Sequence, residues 1–200
     1  MKRNATSAAS VLIVSALVTL AGSSVKASLR IQSDPSVALA RTLQNKIDAI
    51  KAAEEKKGRS SETVTVTEAE LQSYVLYEMR DEIPARVDAL DVRLSDGAVS
   101  ADTQLTFASD STGNAVLDTL VSGTHSLFLK GKLAAVGERG RFELQEVRLD
   151  GIPVPTILIE TLVERYVKPT YPYVDLNQEF QMPWGIDAIT LTNGKATIRY

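Results

Sequence analysis

From Arg86 onward the apolar residues recur at every second position and each run stops at a short turn sequence, which confines this part of the chain to antiparallel hairpins. Val92 and Leu94 alternate with Arg93, Asp96-Gly97 supplies a two-residue turn, and Val99, Ala101, Leu105 and Phe107 return on one face. Leu127, Leu129, Leu133 and Ala135 then alternate with Phe128, Lys130 and Lys132, and a second hairpin is expected to turn through Glu138 to Gly140, with Phe142 and Leu144 coming back. Between Leu144 and Val147 the apolar phase slips by one residue. A slip of that kind would turn every later side chain over, so a bulge and a bend of the sheet are predicted there. A third hairpin is expected around Asn193-Gly194, joining residues 186–191 to 195–199.

Three segments depart from that period. Ser33 and Asp34 ahead of Pro35 signal a helix start, and Leu39, Leu43, Ile47 and Ile50 follow as one apolar stripe on a charged helix running to about Lys57. This helix is read as a cover over the core, with a stalk or movable lid as the alternative. Residues 63–66 form a β-branched run that meets a capping box, Thr67 with Glu70. A second helix follows, on which Leu71, Tyr74, Val75 and Met79 share a face while Gln72, Glu78 and Arg80 point away. Pro153 and Pro155 introduce a third, amphipathic helix carrying Ile159, Leu162, Val163 and Tyr166. Helices interleaved with antiparallel hairpins, without strand-helix-strand spacing of parallel units, predict an α+β fold: a curved antiparallel sheet of hairpins with amphipathic helices on its concave face.

Residues 1–27 read as a secretory signal: Lys2 and Arg3, an apolar run from Val11 to Ala21, then small residues. That run is about half of the ~20 residues a bilayer span needs, which favours cleavage over an uncleaved membrane tether. The organisation expected is a signal over 1–27, an N-terminal helix and loop over 28–62, and one α+β domain over 63–200. There is no cysteine, which removes disulfides, thiolate catalysis and thiolate metal sites together. Without the leader, Lys plus Arg falls from 22 to 19 against 25 acids, a net charge of −6. An acidic domain with no basic stripe is unsuited to phosphate backbones, so nucleic acid is not an expected partner. Export without cysteine points to a periplasmic or secreted bacterial protein.

Motifs that carry chemistry are weak. His125 is the single histidine, and no Gly-x-Ser-x-Gly elbow accompanies it, so it reads as a surface or loop residue with nothing to orient it. One His and no Cys leave only carboxylates for a metal, and their spacing fits no calcium loop; no metal and no cofactor are expected. Asp81-Glu82 and Asp88 with Asp91 are the nearest carboxylate pairs, at places where solvated charge is ordinary. Trp184, Tyr171 and Tyr173 stand beside prolines in irregular backbone, where aromatics line a mouth or pack a sheet end.

The phrases TVTVTEAELQSY at 63–74, Gly140-Arg141-Phe142-Glu143-Leu144, Asp150-Gly151-Ile152-Pro153-Val154-Pro155 and the closing hairpin resemble the LmeA-like exported phospholipid-binding family. The resemblance implies a tubular lipid-binding type of fold, in which a curved sheet wraps a long helix, and noncatalytic binding of lipid in the cell envelope. It carries over no contact residue. The apolar surplus independently allows a groove between helices and sheet. Its expected lining is Leu71, Tyr74, Val75, Leu105, Phe107, Leu127, Leu129, Ile159 and Val163. The reading is therefore a non-enzymatic binder of lipid or another apolar molecule, making at most peripheral membrane contact. The alternative is a closed-core structural or interaction module that holds an envelope protein partner through exposed edges or through the Leu39 to Ile50 stripe.

Overall fold

A computed structural model of the chain describes residues 34–55, 61–81, 83, 85–107, 123–164, 168 and 178–200; the expected signal sequence and the Tyr171 to Tyr173 segment lie outside them. The fold is α+β, mostly antiparallel sheet with a few helices. The sheet is open rather than closed into a barrel.

Its longest strand is β4 (Gly123–Val136), and the rest is assembled on it. On one side β4 pairs with β3 (Ala98–Phe107), which pairs with β2 (Arg86–Ser95). Where β3 gives out at Ala98, β4 continues and pairs through Ala135 and Val136 with β8 (Ala188–Thr192). Beyond it lie β9 (Lys195–Arg199) and β1 (Thr63–Thr67). On its other side β4 carries β5 (Arg139–Leu149), flanked by the short β6 (Ile152–Pro153) and β7 (Glu179–Gln181). The Gly97 turn stitches the two halves together, donating to Leu191 O at 3.1 Å and accepting from Leu133 N at 3.0 Å.

The alternation predicted for these strands holds. Leu90, Val92, Leu94, Val99, Ala101, Leu129, Ala135, Phe142, Val147, Ile189, Leu191, Ala196 and Ile198 are buried in one cluster, and the positions between them carry the polar face. The expected phase slip is a bulge: Lys130 faces Glu146 while Gly131 faces Leu144, so Gln145 is the extra residue and both Phe142 and Val147 point inward. A second bulge, at Asp88, was not predicted. Thr103, buried within the apolar stripe of β3, satisfies the Ala89 carbonyl beside it at 2.6 Å.

Helix α1 (Val37–Glu55) buries Ala40, Leu43, Ile47 and Ile50, the expected stripe with Leu39 only half covered. Its start differs from expectation. Ser36 accepts the Leu39 amide at 3.2 Å, and its own amide donates to Ser73 Oγ at 3.1 Å; Ser33 lies outside the described residues. Helix α2 (Glu68–Tyr77) has the predicted capping box, with Thr67 and Glu70 bonded in both directions. It is not amphipathic. All eight residues from Glu68 to Val75 are buried, and Gln72, expected to face solvent, instead donates to Asp91 at 3.2 Å. A helix packed between α1 and β2 has no outer face, and such a helix escapes periodicity.

Two smaller expectations also change. The turn between β4 and β5 is Gly137-Glu138, both with positive φ (64° and 62°), rather than Glu138 to Gly140. Gly140 lies within β5, where a β-carbon would stand 2.6 Å from the Phe180 ring and Met182 Sδ. Helix α3 (Thr156–Leu162) buries Ile159 and half-buries Val163, but leaves Ile157 and Leu158 exposed, so it is apolar on more than one side; Tyr166 lies outside the described residues.

Candidate functional site

The site worth building is the gap between α1 and the inner face of the sheet. Leu43, Ile47 and Ile50 recur at i, i+4 and i+7, so they form one row along α1, and Lys46 lies beside that row. Opposite them stand Val66 of β1, Leu71 of α2, Leu94 and Val99 of the β2–β3 hairpin, Leu133 and Phe142 of the β4–β5 hairpin, and Ile189, Leu191, Ala196 and Ile198 of β8 and β9. Thirteen of the fourteen lining residues are apolar; Lys46 is the exception. The space enclosed is small, about 40 Å³. It is a narrow apolar slot, open at its mouth.

Helix α1 is fixed along its flank by polar groups. Its close backbone neighbour is α2. Four polar links fix it: Ser36 to Ser73, the Tyr74 hydroxyl to Gln44 Oε1 at 3.0 Å, Lys46 to Glu70 and Thr65, and the Lys51 ammonium 4.8 Å from the centre of the Trp184 ring. Lys46 Nζ lies 2.5 Å from Glu70 Oε1 and 2.6 Å from the Thr65 carbonyl. The other oxygen of Glu70 accepts the Thr67 amide at 2.8 Å, so one carboxylate serves both the capping box and the α1 lysine.

Of the nine residues expected to line a groove, Leu71 lines this slot. Tyr74, Val75, Leu129 and Ile159 are buried in the main core, with Val163 packed against it. Leu105 and Leu127 form a separate small core with Ala85, flanked by Phe107. Correct face does not mean correct depth, because the register of β4 carries Leu127 and Leu129 to the far end of the sheet from β8. What sequence reasoning missed is the wall contributed by α1. Its signal is the Leu43, Ile47, Ile50 row, which the sequence reads as a cover over the core, with a stalk or movable lid as the alternative. That row is closed off within this chain and offers no stripe to an outside protein.

His125 is oriented, contrary to expectation. Its Nδ1 lies 2.8 Å from Asp150 Oδ2, and Asp150 Oδ1 accepts the Ser126 amide at 2.8 Å. The Asp150 amide in turn donates to Ser126 O at 2.8 Å. Asp150 can reach across because it takes φ 50° ahead of Gly151 at φ 79°. The His125 ring, and after it the Ser126 amide, hold the Asp150 carboxyl below the usual carboxylate range. Of the carboxylates singled out from sequence, Asp88 bonds Arg86 and Thr106 while Asp91 bonds Arg93 and Gln72; Glu82 lies outside the described residues. Each of these two acids has its own arginine, and neither is paired with the other. Among the described residues no three His, Cys, Asp or Glu side chains converge as a metal site would require. Trp184 packs on the main core beside α1, at the sheet end. No described helix is long and apolar enough to cross a membrane. Compared with known proteins, the sequence matches no family model and no curated protein.

Proposed function

We propose that this chain is an exported protein that binds a lipid or another apolar molecule in the bacterial cell envelope, without catalysis. In this reading the helices lie on the concave face of the curved sheet. The observation that supports it is the slot itself: an almost wholly apolar gap between α1 and the sheet, with one lysine in its lining. Close-packed interiors rarely leave such a gap without a use. The LmeA-like resemblance leads to the same class of ligand from the sequence side. The test is native mass spectrometry of the exported full chain, with organic extraction of what travels with it. A stoichiometric lipid adduct is expected. A bare protein mass that stays bare after incubation with envelope lipids overturns the reading.

A second reading, a structural or protein-interaction module, is favoured by one feature. Ile152 on β6 and Ile157 and Leu158 on α3 are 69%, 71% and 48% exposed, and residues 151–159 carry no charge. Replacing Ile157 and Leu158 by Ser would abolish copurification of an envelope partner if this reading holds, and would leave lipid adducts untouched if the first does.

A further inference from the structure

We infer that Lys46 is the headgroup-binding residue of the slot and that the ligand is a single-chain aliphatic anion; the inference rests on the apolar-binding reading above. The shape argues for one chain. Leu43, Ile47 and Ile50 form a single row over the sheet, seven residues of helix cover about 10 Å, and the space beneath the row is narrow. The charge argues for an anion. Lys46 is the one ionisable group in the lining, and its ammonium sits half-covered at the flank of the row.

Lys46 can change partners without leaving Glu70 bare of donors. When the ammonium swings from Glu70 Oε1 to a ligand carboxylate, the other oxygen of Glu70 keeps the Thr67 amide at 2.8 Å and the Thr67 hydroxyl at 3.1 Å. Oε1 gives up its ammonium, so the new ion pair and the burial of the alkyl chain must offset the parting of the old pair. The exchange also frees α1. With about 40 Å³ of enclosed space, an alkyl chain enters only as α1 lifts, and Lys46 is one of the groups that tie α1 to its neighbours. Headgroup capture and opening are then the same event. A cationic amphiphile meets the opposite situation, with like charge at the mouth.

Trp184, the one tryptophan of the chain, touches Lys51 of α1, so its emission reports movement of the helix. The experiment titrates the full chain with dodecanoate, dodecanol and dodecyltrimethylammonium, following Trp184 emission and confirming stoichiometry by native mass spectrometry. Dodecanoate is expected to bind at least tenfold more tightly than dodecanol. Lys46→Met, which keeps the aliphatic stem, is expected to bring the two to parity, and Lys46→Arg to keep the preference. Equal binding of all three amphiphiles, or a preference unchanged in Lys46→Met, overturns the headgroup role while leaving the apolar site standing. Binding of none of them overturns both. A Lys46→Met chain with altered circular dichroism is replaced in the comparison by Lys46→Gln.

Discussion

The ring of Phe142 rests on the backbone of Gly131: a β-carbon at 131 would lie 2.2 Å from Phe142 Cζ and 3.0 Å from the carbonyl oxygen of Glu143. Glycine is required here for space, in the strand next to the bulge, and the same ring lines the slot beneath α1. Gly131→Ala must push the ring toward that slot. We expect a loss of about 1–3 kcal/mol in urea denaturation, typical of overpacking, together with loss of ligand uptake. Phe142→Leu in the same chain should restore much of the stability. Additive effects of the two changes would show that the ring does not answer to position 131.

Glu68 joins the first turn of α2 to the edge of the sheet, its Oε1 accepting the Leu94 amide at 2.6 Å while the Leu94 carbonyl accepts from Gly194 N. Glu68→Ala leaves a buried amide without that acceptor, for which about 1–3 kcal/mol of destabilisation is expected. Glu68→Gln keeps an acceptor and should recover part of it. Equal losses in the two variants would argue against the hydrogen bond as the source.

Glu70 divides its two oxygens between Thr67 and Lys46, so its removal should exceed the loss of the cap alone. Thr67→Ala is expected to cost about 1 kcal/mol. Glu70→Ala should cost more and also raise the rate of proteolysis within α1, whereas Thr67→Ala should not. Matching proteolysis rates would show that Lys46 does not hold the helix.

Asp150 gives a pH dependence with a definite sign. Its carboxyl is held below the ordinary value of 3.8, first by the His125 ring and then by the Ser126 amide. A depressed folded-state pKa stabilises the fold fully above the unfolded value, and that stabilisation drains away as pH falls through the lower folded value. The stability difference between the parent and Asp150→Asn should therefore shrink as pH falls below about 4, by this linkage. A difference that grows on acidification would contradict the assignment.

Much of the sheet was legible because its information is local. Alternation, turn residues and the phase slip at Leu144 to Val147 each lie within a few residues, and the bulge at Gln145 follows from them. The capping box at Thr67 is legible for the same reason. The slot was not. It depends on how far α1 stands from β8 and β9, which is set by contacts such as Gln44 to Tyr74, 30 residues apart, and Lys46 to Glu70, 24 residues apart. Likewise Gln72 looks like a solvent-facing residue until α2 is enclosed, and His125 looks unoriented until β5 brings Asp150 back beside it 25 residues later. Pattern reports which face a side chain occupies, while depth is decided by partners remote in sequence.

The pairing of β1 with β9 bears on how such a chain is made. Thr63 faces Arg199, and the Glu62 and Tyr200 backbones bond each other in both directions across 138 residues. A nascent chain cannot complete this pairing until residues 195–199 have been synthesised, and β1 waits for its neighbour until then. Long-range closure of this kind is slow. Until that closure, the hydrogen-bonding edge of β1 is open to pairing with other chains.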